Sequence, residues 1–163
     1  MELVSFDPAC AAEVSGWTRS EAETRAWCAR DEARVPPEVI TAWAGEEGVR
    51  AFGVLDETTL VAYGELWLDD AEEEVELARL IVAPGRRGQG VGRWLVARLT
   101  HEARRLHPTV FLRVLPQNEA ALRCYVAAGF RRVEPALEAA WNARQPARYA
   151  WLVYAPTEVR RGG

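Results

Sequence analysis

The sequence predicts an α/β fold in which helices flank a mixed central β-sheet. Two apolar runs, residues 49–56 and 60–68, are separated by a polar turn, which is typical of an antiparallel hairpin. A strand–helix–strand pattern follows over residues 75–115, and the two strands of such a βαβ unit run parallel. A hairpin and a parallel pair in one chain together indicate a sheet of mixed direction.

We expect the chain to form one domain. Its 163 residues, of which 49% are hydrophobic and 27% charged, are enough to bury a sizeable core. We assign this domain to residues 1–155 and expect residues 156–163 to form a flexible C-terminal tail.

Charge and cysteine content argue against several classes of protein. A net charge of −4 and a pI near 5.3 argue against general nucleic-acid binding, because a basic surface supplies most of its affinity. Three cysteines and two histidines are too dispersed for a disulfide framework or a zinc site, so no metal is expected. The N-terminus lacks a signal-peptide pattern, and no stretch approaches the roughly 18 apolar residues that a membrane span needs. We therefore expect a cytoplasmic protein that binds neither nucleic acid nor membrane.

The segment before the hairpin is predicted to be helical over residues 7–45. Ser20 and Glu23 have the spacing of a capping box, which marks the start of a helix. A second short helix is expected to begin at residues 36–37, where two prolines stand together.

The elements after the hairpin alternate between strands and helices. An apolar strand at residues 75–83 precedes a helix over residues 90–106, in which apolar side chains recur every fourth residue. A strand at residues 109–115 then leads into a helix over residues 118–128, which Gly129 ends. Two last strands are expected around a less regular segment, at residues 130–134 and 148–155, with residues 135–146 between them.

The junction between the strand and the long helix is rich in glycine and arginine. Residues 82–96 read VAPGRRGQGVGRWLV. A helix N-terminus presents unpaired N–H groups, and glycine lets a bulky anion approach the backbone, so this segment favours phosphate binding over a merely solvated turn. A Walker A loop does not fit, because Val91 and Gly92 stand where lysine and serine or threonine are needed. A dinucleotide fingerprint does not fit either, because Arg93 replaces its last glycine.

The motif that does fit is R-x-x-G-x-G, at residues 87–92, followed by NEAALRCYVAAGF at residues 118–130. With these two motifs in order, the chain resembles the GNAT (Gcn5-related) N-acetyltransferase family over roughly residues 50–133. The resemblance implies a mostly antiparallel sheet in which one parallel strand pair splays apart to hold acetyl-CoA. It also implies direct transfer of acetyl to a primary amine of a small molecule or a peptide.

The resemblance further assigns residues to acetyl-CoA and to catalysis. Amides of the loop and of the following helix bind the pyrophosphate, and the free edge of the preceding strand pairs with the pantetheine arm. Asn118 contacts the cofactor, and Tyr125, nearly two turns along the same helix face, protonates the departing sulfur. A helix cap for Asn118 and a core aromatic for Tyr125 are the structural alternatives. The other cofactor-binding assignments are Leu80, Ile81, Val82, Arg87, Gly88, Gln89, Gly90, Val91, Gly92 and Arg93.

The resemblance leaves the general base open. Some family members carry a glutamate at a position that Arg113 occupies in this chain. Glu76, on the strand that leads into the loop, is the first candidate for the base, and Glu65, on the preceding strand, is the second. For each of them an exposed carboxylate at the sheet edge is the structural alternative.

Two further groups of residues have two interpretations each. An acidic run either forms a solvated turn or attracts a cationic acceptor. Three tryptophans in the first helical segment either belong to the core or border the acceptor groove. The acids are Asp69, Asp70, Glu72, Glu73, Glu74 and Glu76, and the tryptophans are Trp17, Trp27 and Trp43.

Two other functions fit the same motifs. One is a non-catalytic module that binds or senses acyl-CoA, and the other is an acyltransferase that uses a different acyl-CoA. A homodimer is a possible assembly, and the sequence does not identify the acceptor.

Overall fold

The computed structural model describes residues 1–155, and the predicted tail at residues 156–163 lies outside the described residues. The strands are β1 (Glu2–Ser5), β2 (Val49–Asp56), β3 (Thr59–Asp69), β4 (Glu74–Val82), β5 (Thr109–Val114), β6 (Phe130–Arg132) and β7 (Ala150–Tyr154). The α-helices are α1 (Ala11–Ser15), α2 (Glu21–Cys28), α3 (Pro37–Ala44), α4 (Val91–Arg104), α5 (Glu119–Ala127) and α6 (Pro135–Asn142).

The seven strands form one sheet in the order β1-β2-β3-β4-β5-β7-β6. Strands β4 and β5 are parallel, and the other neighbouring pairs are antiparallel. The predicted hairpin is formed by β2 and β3, and the predicted βαβ unit by β4, α4 and β5. The structure therefore confirms a mixed, mostly antiparallel sheet flanked by helices.

Two elements differ from the sequence prediction. The sequence did not predict β1, because its pairing with β2, in which Glu2 lies opposite Leu55, is a tertiary contact and four residues are too few to show a period. Residues 135–146, expected to be irregular, contain α6, which starts at a proline in the first turn, where proline is tolerated. An ion pair of 2.7 Å between Arg132 and Glu138 fastens this helix to β6.

Helix α4 packs on the sheet through its predicted apolar stripe. The stripe is fully or almost fully buried and consists of Val91, Leu95, Leu99 and Ala103. A second core cluster, in which Ile40 and Tyr63 are completely buried, joins α1 and α3 to the sheet. No helix within residues 1–155 is long and apolar enough to cross a membrane.

Strands β4 and β5 pair only where they begin. Residues 74–76 lie opposite residues 109–111, and beyond this point β4 continues to Val82 and β5 to Val114 without pairing to one another. The parallel pair is therefore splayed, as the resemblance implies. The backbone groups along the open edge of β4 are left without strand partners on that side.

Candidate active site

A cavity of about 1270 Å³ opens between the splayed strands. Its walls come from β4, β5, α2, α5 and the start of α4. Most of the predicted site residues line it, namely Glu76, Leu80, Ile81, Val82, Arg87, Gly88, Gly90, Gly92, Arg93, Asn118 and Tyr125. The side chains of Gln89 and Val91 lie elsewhere, because Gln89 donates to the Gly85 carbonyl at 2.9 Å and Val91 is buried in the core. For these two residues, only the backbone amide remains available to a ligand.

The start of α4 has the features of an anion site. Gly88 and Gly90 have φ angles of +72° and +85°, which L side chains rarely adopt. Gly90 is the N-cap and supplies no side-chain cap, so the first amides of the helix keep their hydrogen-bonding capacity. A Cβ atom at either glycine would meet nothing within 4 Å. The backbone is therefore open to a pyrophosphate at the positive end of the helix dipole.

Arg87 holds the loop in place. Its Nε donates to the Val82 carbonyl at 3.1 Å, its Nη2 donates to the Trp17 carbonyl at 3.0 Å, and Glu23 lies 3.5 Å from Nη1. These bonds connect the loop to β4 and to the segment around α1 and α2. Arg93, which is exposed at the start of α4, is the more available cation at this side of the cavity.

The open edge of β4 forms the wall next to the loop. On its other edge, β4 pairs with β3, where Ile81 lies opposite Tyr63 and Val82 opposite Ala62. Because β5 has already diverged, the backbone of Leu80, Ile81 and Val82 can pair with an extended ligand on the cavity side. This edge suits the amide-bearing pantetheine arm of a CoA thioester.

Helix α5 contributes two of the predicted residues. Asn118 is its N-cap, and Oδ1 accepts from the Ala121 amide at 3.3 Å, which leaves the side-chain NH₂ group for a ligand. Tyr125 is half-buried and packs edge-on against Phe130, with 6.4 Å between ring centroids. Burial raises the pKa of its hydroxyl above the ordinary value, so Tyr125 stays protonated at neutral pH.

Glu76 reaches the cavity from β4 and forms an ion pair with Arg113 of β5. Its Oε1 lies 2.9 Å from Nε of Arg113 on β5. Burial raises the pKa of Glu76 to about 7, although the charge of Arg113 acts in the opposite direction. A carboxyl group that titrates near neutrality can accept a proton from an amine.

The family comparison agrees with this geometry. The model of the Acetyltransferase (GNAT) family matches residues 13–130. This chain belongs to the GNAT family. No curated protein sequence gives a significant match to it.

Solved GNAT structures share the fold of this chain at low sequence identity. A spermidine N-acetyltransferase from Vibrio cholerae, in complex with CoA and spermine, is 20% identical over 82% of each chain, with a TM-score of 0.69. A putative acetyltransferase from Salmonella typhimurium with its cofactor acetyl-CoA is 24% identical over 94% of this chain and 90% of that one, with a TM-score of 0.67. A ribosomal-protein-alanine N-acetyltransferase from Brucella melitensis is 19% identical over 94% of this chain and 98% of that one, with a TM-score of 0.70.

Glu65, the second candidate for the base in this GNAT chain, is completely buried. It accepts from the Tyr63 hydroxyl at 2.5 Å and from the Trp67 indole at 2.6 Å, and its Oε2 lies 3.0 Å from Nη1 of Arg79. This network makes Glu65 the counter-ion of Arg79. Between the two candidates, Glu76 is the carboxylate that reaches the cavity.

The acidic run has two structural parts. Asp69 accepts from two backbone amides of the turn, and Asp70 pairs with His107 at 2.6 Å. Glu72 and Glu74 border a second cavity of about 470 Å³, which shares Glu76, Arg113 and Gln145 with the first and is walled by Phe111, Trp141 and Trp151. The solvated-turn interpretation accounts for Asp69 and Asp70, and attraction of a cationic acceptor by Glu72 and Glu74 stays a prediction.

The three tryptophans of the helical segment divide between core and cavity. Trp17 and Trp43 are buried, whereas Trp27 lines the large cavity and donates to the Arg79 carbonyl at 2.8 Å. Within residues 1–155, no group of three or more histidine, cysteine or acidic side chains is placed to hold a metal ion.

Sequence reasoning did not find several residues that line the large cavity. They are Trp67, Arg79, Gln145 and Tyr149. These residues come from β3, β4 and the segment between α6 and β7, and none of them belongs to a motif. Arg79, which stands between apolar residues on β4, was the one local signal available.

Proposed function

We propose that this GNAT protein transfers an acetyl group from acetyl-CoA to a primary amine of a small molecule or a peptide. The observation that carries the proposal is the common cavity: it joins the open edge of β4, the uncapped start of α4, Tyr125 and Glu76. A site for the donor and a pair of proton-transfer groups thus share one volume.

The donor is held by groups of two kinds. The amides at residues 90–93 bind the pyrophosphate, with Arg93 beside them, and Arg87 keeps the loop attached to the rest of the molecule. The edge of β4 and the side-chain NH₂ of Asn118 hold the pantetheine arm. These contacts leave the thioester to be placed toward Tyr125.

The reaction is a direct attack. The lone pair of the neutral amine forms a C–N bond with the thioester carbonyl carbon, and the C–S bond breaks. Glu76 takes the proton that nitrogen loses, and the Tyr125 hydroxyl gives its proton to the departing sulfur. The products are an N-acetyl amine and CoA with a free thiol, and exchange with water restores the two side chains.

The high pKa of the acceptor amine explains why a base is useful. Keeping a lysine-like amine of pKa near 10.4 neutral at pH 7 costs roughly 4.6 kcal/mol. A buried Glu76 with a pKa of about 7 is half ionised at this pH and can take up the proton near the reacting nitrogen. The positive charge of Arg113 favours the ionised form of Glu76, so part of the carboxyl group is ionised at that pH.

The relatives support an amine as acceptor. One structural neighbour is a spermidine N-acetyltransferase and another a ribosomal-protein-alanine N-acetyltransferase, and both activities acetylate nitrogen. These two acceptors differ in size and charge, so they support the class of reaction and not one substrate.

The test is a screen with isotope-labelled acetyl-CoA against polyamines, aminoglycosides, amino acids and peptides with free N-termini. We expect label on the nitrogen of at least one class, with stoichiometric release of CoA. If acetyl-CoA binds by calorimetry and no amine is labelled, the protein is an acyl-CoA-binding module. If labelling occurs only with longer acyl-CoA donors, the donor assignment is wrong.

A further inference from the structure

Arg113 is held by two polar contacts and three aromatic rings beside the candidate base. Its Nε pairs with Glu76, and its Nη1 donates to Oε1 of Gln145 at 2.7 Å. Three ring centroids lie near its guanidinium carbon, at 5.7 Å for Trp67, 5.5 Å for Tyr149 and 5.4 Å for Trp151 of β7. The guanidinium is therefore fixed in position and in orientation.

Arg79 is fixed in a similar way from β4. Its guanidinium carbon lies 3.9 Å from the ring centroid of Trp43 and 4.7 Å from that of Trp67. Nη1 pairs with the buried Glu65. The residue has a φ of +49° and lies where the β3–β4 register shifts, a strained backbone position that non-glycine residues seldom adopt.

Both guanidinium groups have N–H donors that no residue within 1–155 accepts from. Within residues 1–155, Arg79 hydrogen-bonds through Nη1, and Arg113 through Nε and Nη1. Their remaining nitrogens have no hydrogen-bond partner within residues 1–155. None of these nitrogens is buried, so they are accessible to a ligand. Both residues line the large cavity. Because an arginine carries five N–H donors in a planar fork, each of them can still bind an anion.

The carboxylates that neutralise these arginines are less accessible than the arginines. The side chains of Glu65 and Glu76 are 0% and 11% exposed, whereas those of Arg79 and Arg113 are 15% and 26% exposed. Trp67 is close to both guanidinium groups, with its ring centroid 4.7 Å from the guanidinium carbon of Arg79 and 5.7 Å from that of Arg113. This part of the wall therefore presents N–H donors around an aromatic ring and few acceptors.

We propose that the amine acceptor also carries a carboxylate, and that the open N–H groups of Arg113 and Arg79 bind this carboxylate while Trp67 packs against the carbon that joins it to the amine. The inference rests on the proposed function and names its substrate class: a small amino acid. Paired N–H donors match the two oxygens of a carboxylate. A polyamine carries no acceptor for these N–H donors and would leave them unpaired.

The experiment compares matched acceptors. Each member of a panel of L-amino acids is offered as the free acid, as its carboxamide and as its decarboxylated amine, with saturating acetyl-CoA; spermidine is included. We expect kcat/KM for the best free acid to exceed that of its amide and its amine by at least tenfold. Equal or better use of the amide, the amine or spermidine overturns the inference and leaves the proposed function standing.

The variants separate acceptor recognition from effects on Glu76. Arg113→Lys retains a positive charge and loses the planar fork, and we expect the ratio of acid to amide in kcat/KM to fall at least fivefold. A change in the base alone lowers both rates and leaves their ratio unchanged, which contradicts the proposal. Arg98→Lys, on the exposed surface of α4, is the control and should keep the wild-type ratio.

Binding provides a readout that does not need turnover. The free acids and their amides are titrated calorimetrically into the protein saturated with CoA. Preferential binding of the acids that Arg113→Lys abolishes, without acetylation of any amine, supports the carboxylate site and refutes the proposed function. Absence of both binding and acetylation across the panel refutes the carboxylate site, and the wider screen with aminoglycosides and peptides then decides the proposed function.

Discussion

Glu76 and Arg113 face each other across the opening between β4 and β5, with 2.9 Å between Oε1 and Nε. Arg113 stands at the position where some GNAT enzymes carry a glutamate. In this chain the carboxylate comes instead from the neighbouring strand, and the arginine pairs with it. A carboxylate is therefore present beside the cavity, although it comes from β4 and not from β5.

This pair predicts the pH dependence of catalysis. Glu76 accepts a proton only when it is ionised, so kcat/KM should rise with pH through an apparent pKa of about 7. Glu76→Gln should remove this limb and lower kcat by about a hundredfold. Replacing Arg113 by glutamine removes a cation that favours the carboxylate, so the limb should move to higher pH. All profiles use one acceptor, so its own ionisation is common to them.

Glu74→Gln is the matched control for this series. Glu74 lies two positions earlier on the same strand and borders the second cavity. It should leave the pH limb in place. A wild-type limb in Glu76→Gln would show that Glu76 is not the group that titrates.

Tyr125→Phe tests the proton donor. The substitution keeps the ring against Phe130 and removes the hydroxyl, so acetyl-CoA should bind as before while kcat falls by about a hundredfold, equivalent to roughly 2.7 kcal/mol of barrier. Tyr154→Phe, which also keeps a ring beside Phe130, is the control and should be fully active. An unchanged kcat in Tyr125→Phe, with chemistry rate-limiting, would return Tyr125 to the core aromatics.

The start of α4 is tested at Gly90. Asparagine and aspartate have the same size and both tolerate a positive φ, so Gly90→Asn and Gly90→Asp differ mainly by one negative charge. If pyrophosphate binds there, calorimetric titration should show acetyl-CoA binding at least tenfold weaker in the aspartate variant than in the asparagine variant. Equal affinity of two folded variants would place the phosphates elsewhere.

The buried pair of Arg79 and Glu65 predicts a stability effect. Arg79→Met leaves the carboxylate of a completely buried Glu65 without its cation and should lower the free energy of unfolding by about 3–5 kcal/mol. Adding Glu65→Gln removes the orphaned charge, so the double variant should recover much of the loss in urea denaturation. A double variant as unstable as Arg79→Met would mean that stacking on Trp43 and Trp67, and not charge, is the main contribution.

Those parts of the fold that depend on neighbouring residues along the chain could be predicted from the sequence. The apolar stripe of α4 and the β2–β3 hairpin each follow from a local period, and the structure contains both. The glycine-rich loop before α4 follows from a short motif, and its binding of phosphate stays a prediction. The cap role of Asn118 is equally local, because Oδ1 bonds an amide within the first turn of its own helix.

Contacts between charged and aromatic side chains that are distant in sequence could not be predicted, because they depend on how the strands assemble. Arg113 comes from β5, Glu76 from β4, and Trp67 from β3, and nothing in their local patterns relates one to another. The same holds for β1, whose four residues become a strand by pairing with β2. Register between strands is set by packing and backbone hydrogen bonds across the whole sheet, so contacts between side chains distant in sequence exist only once the sheet has assembled.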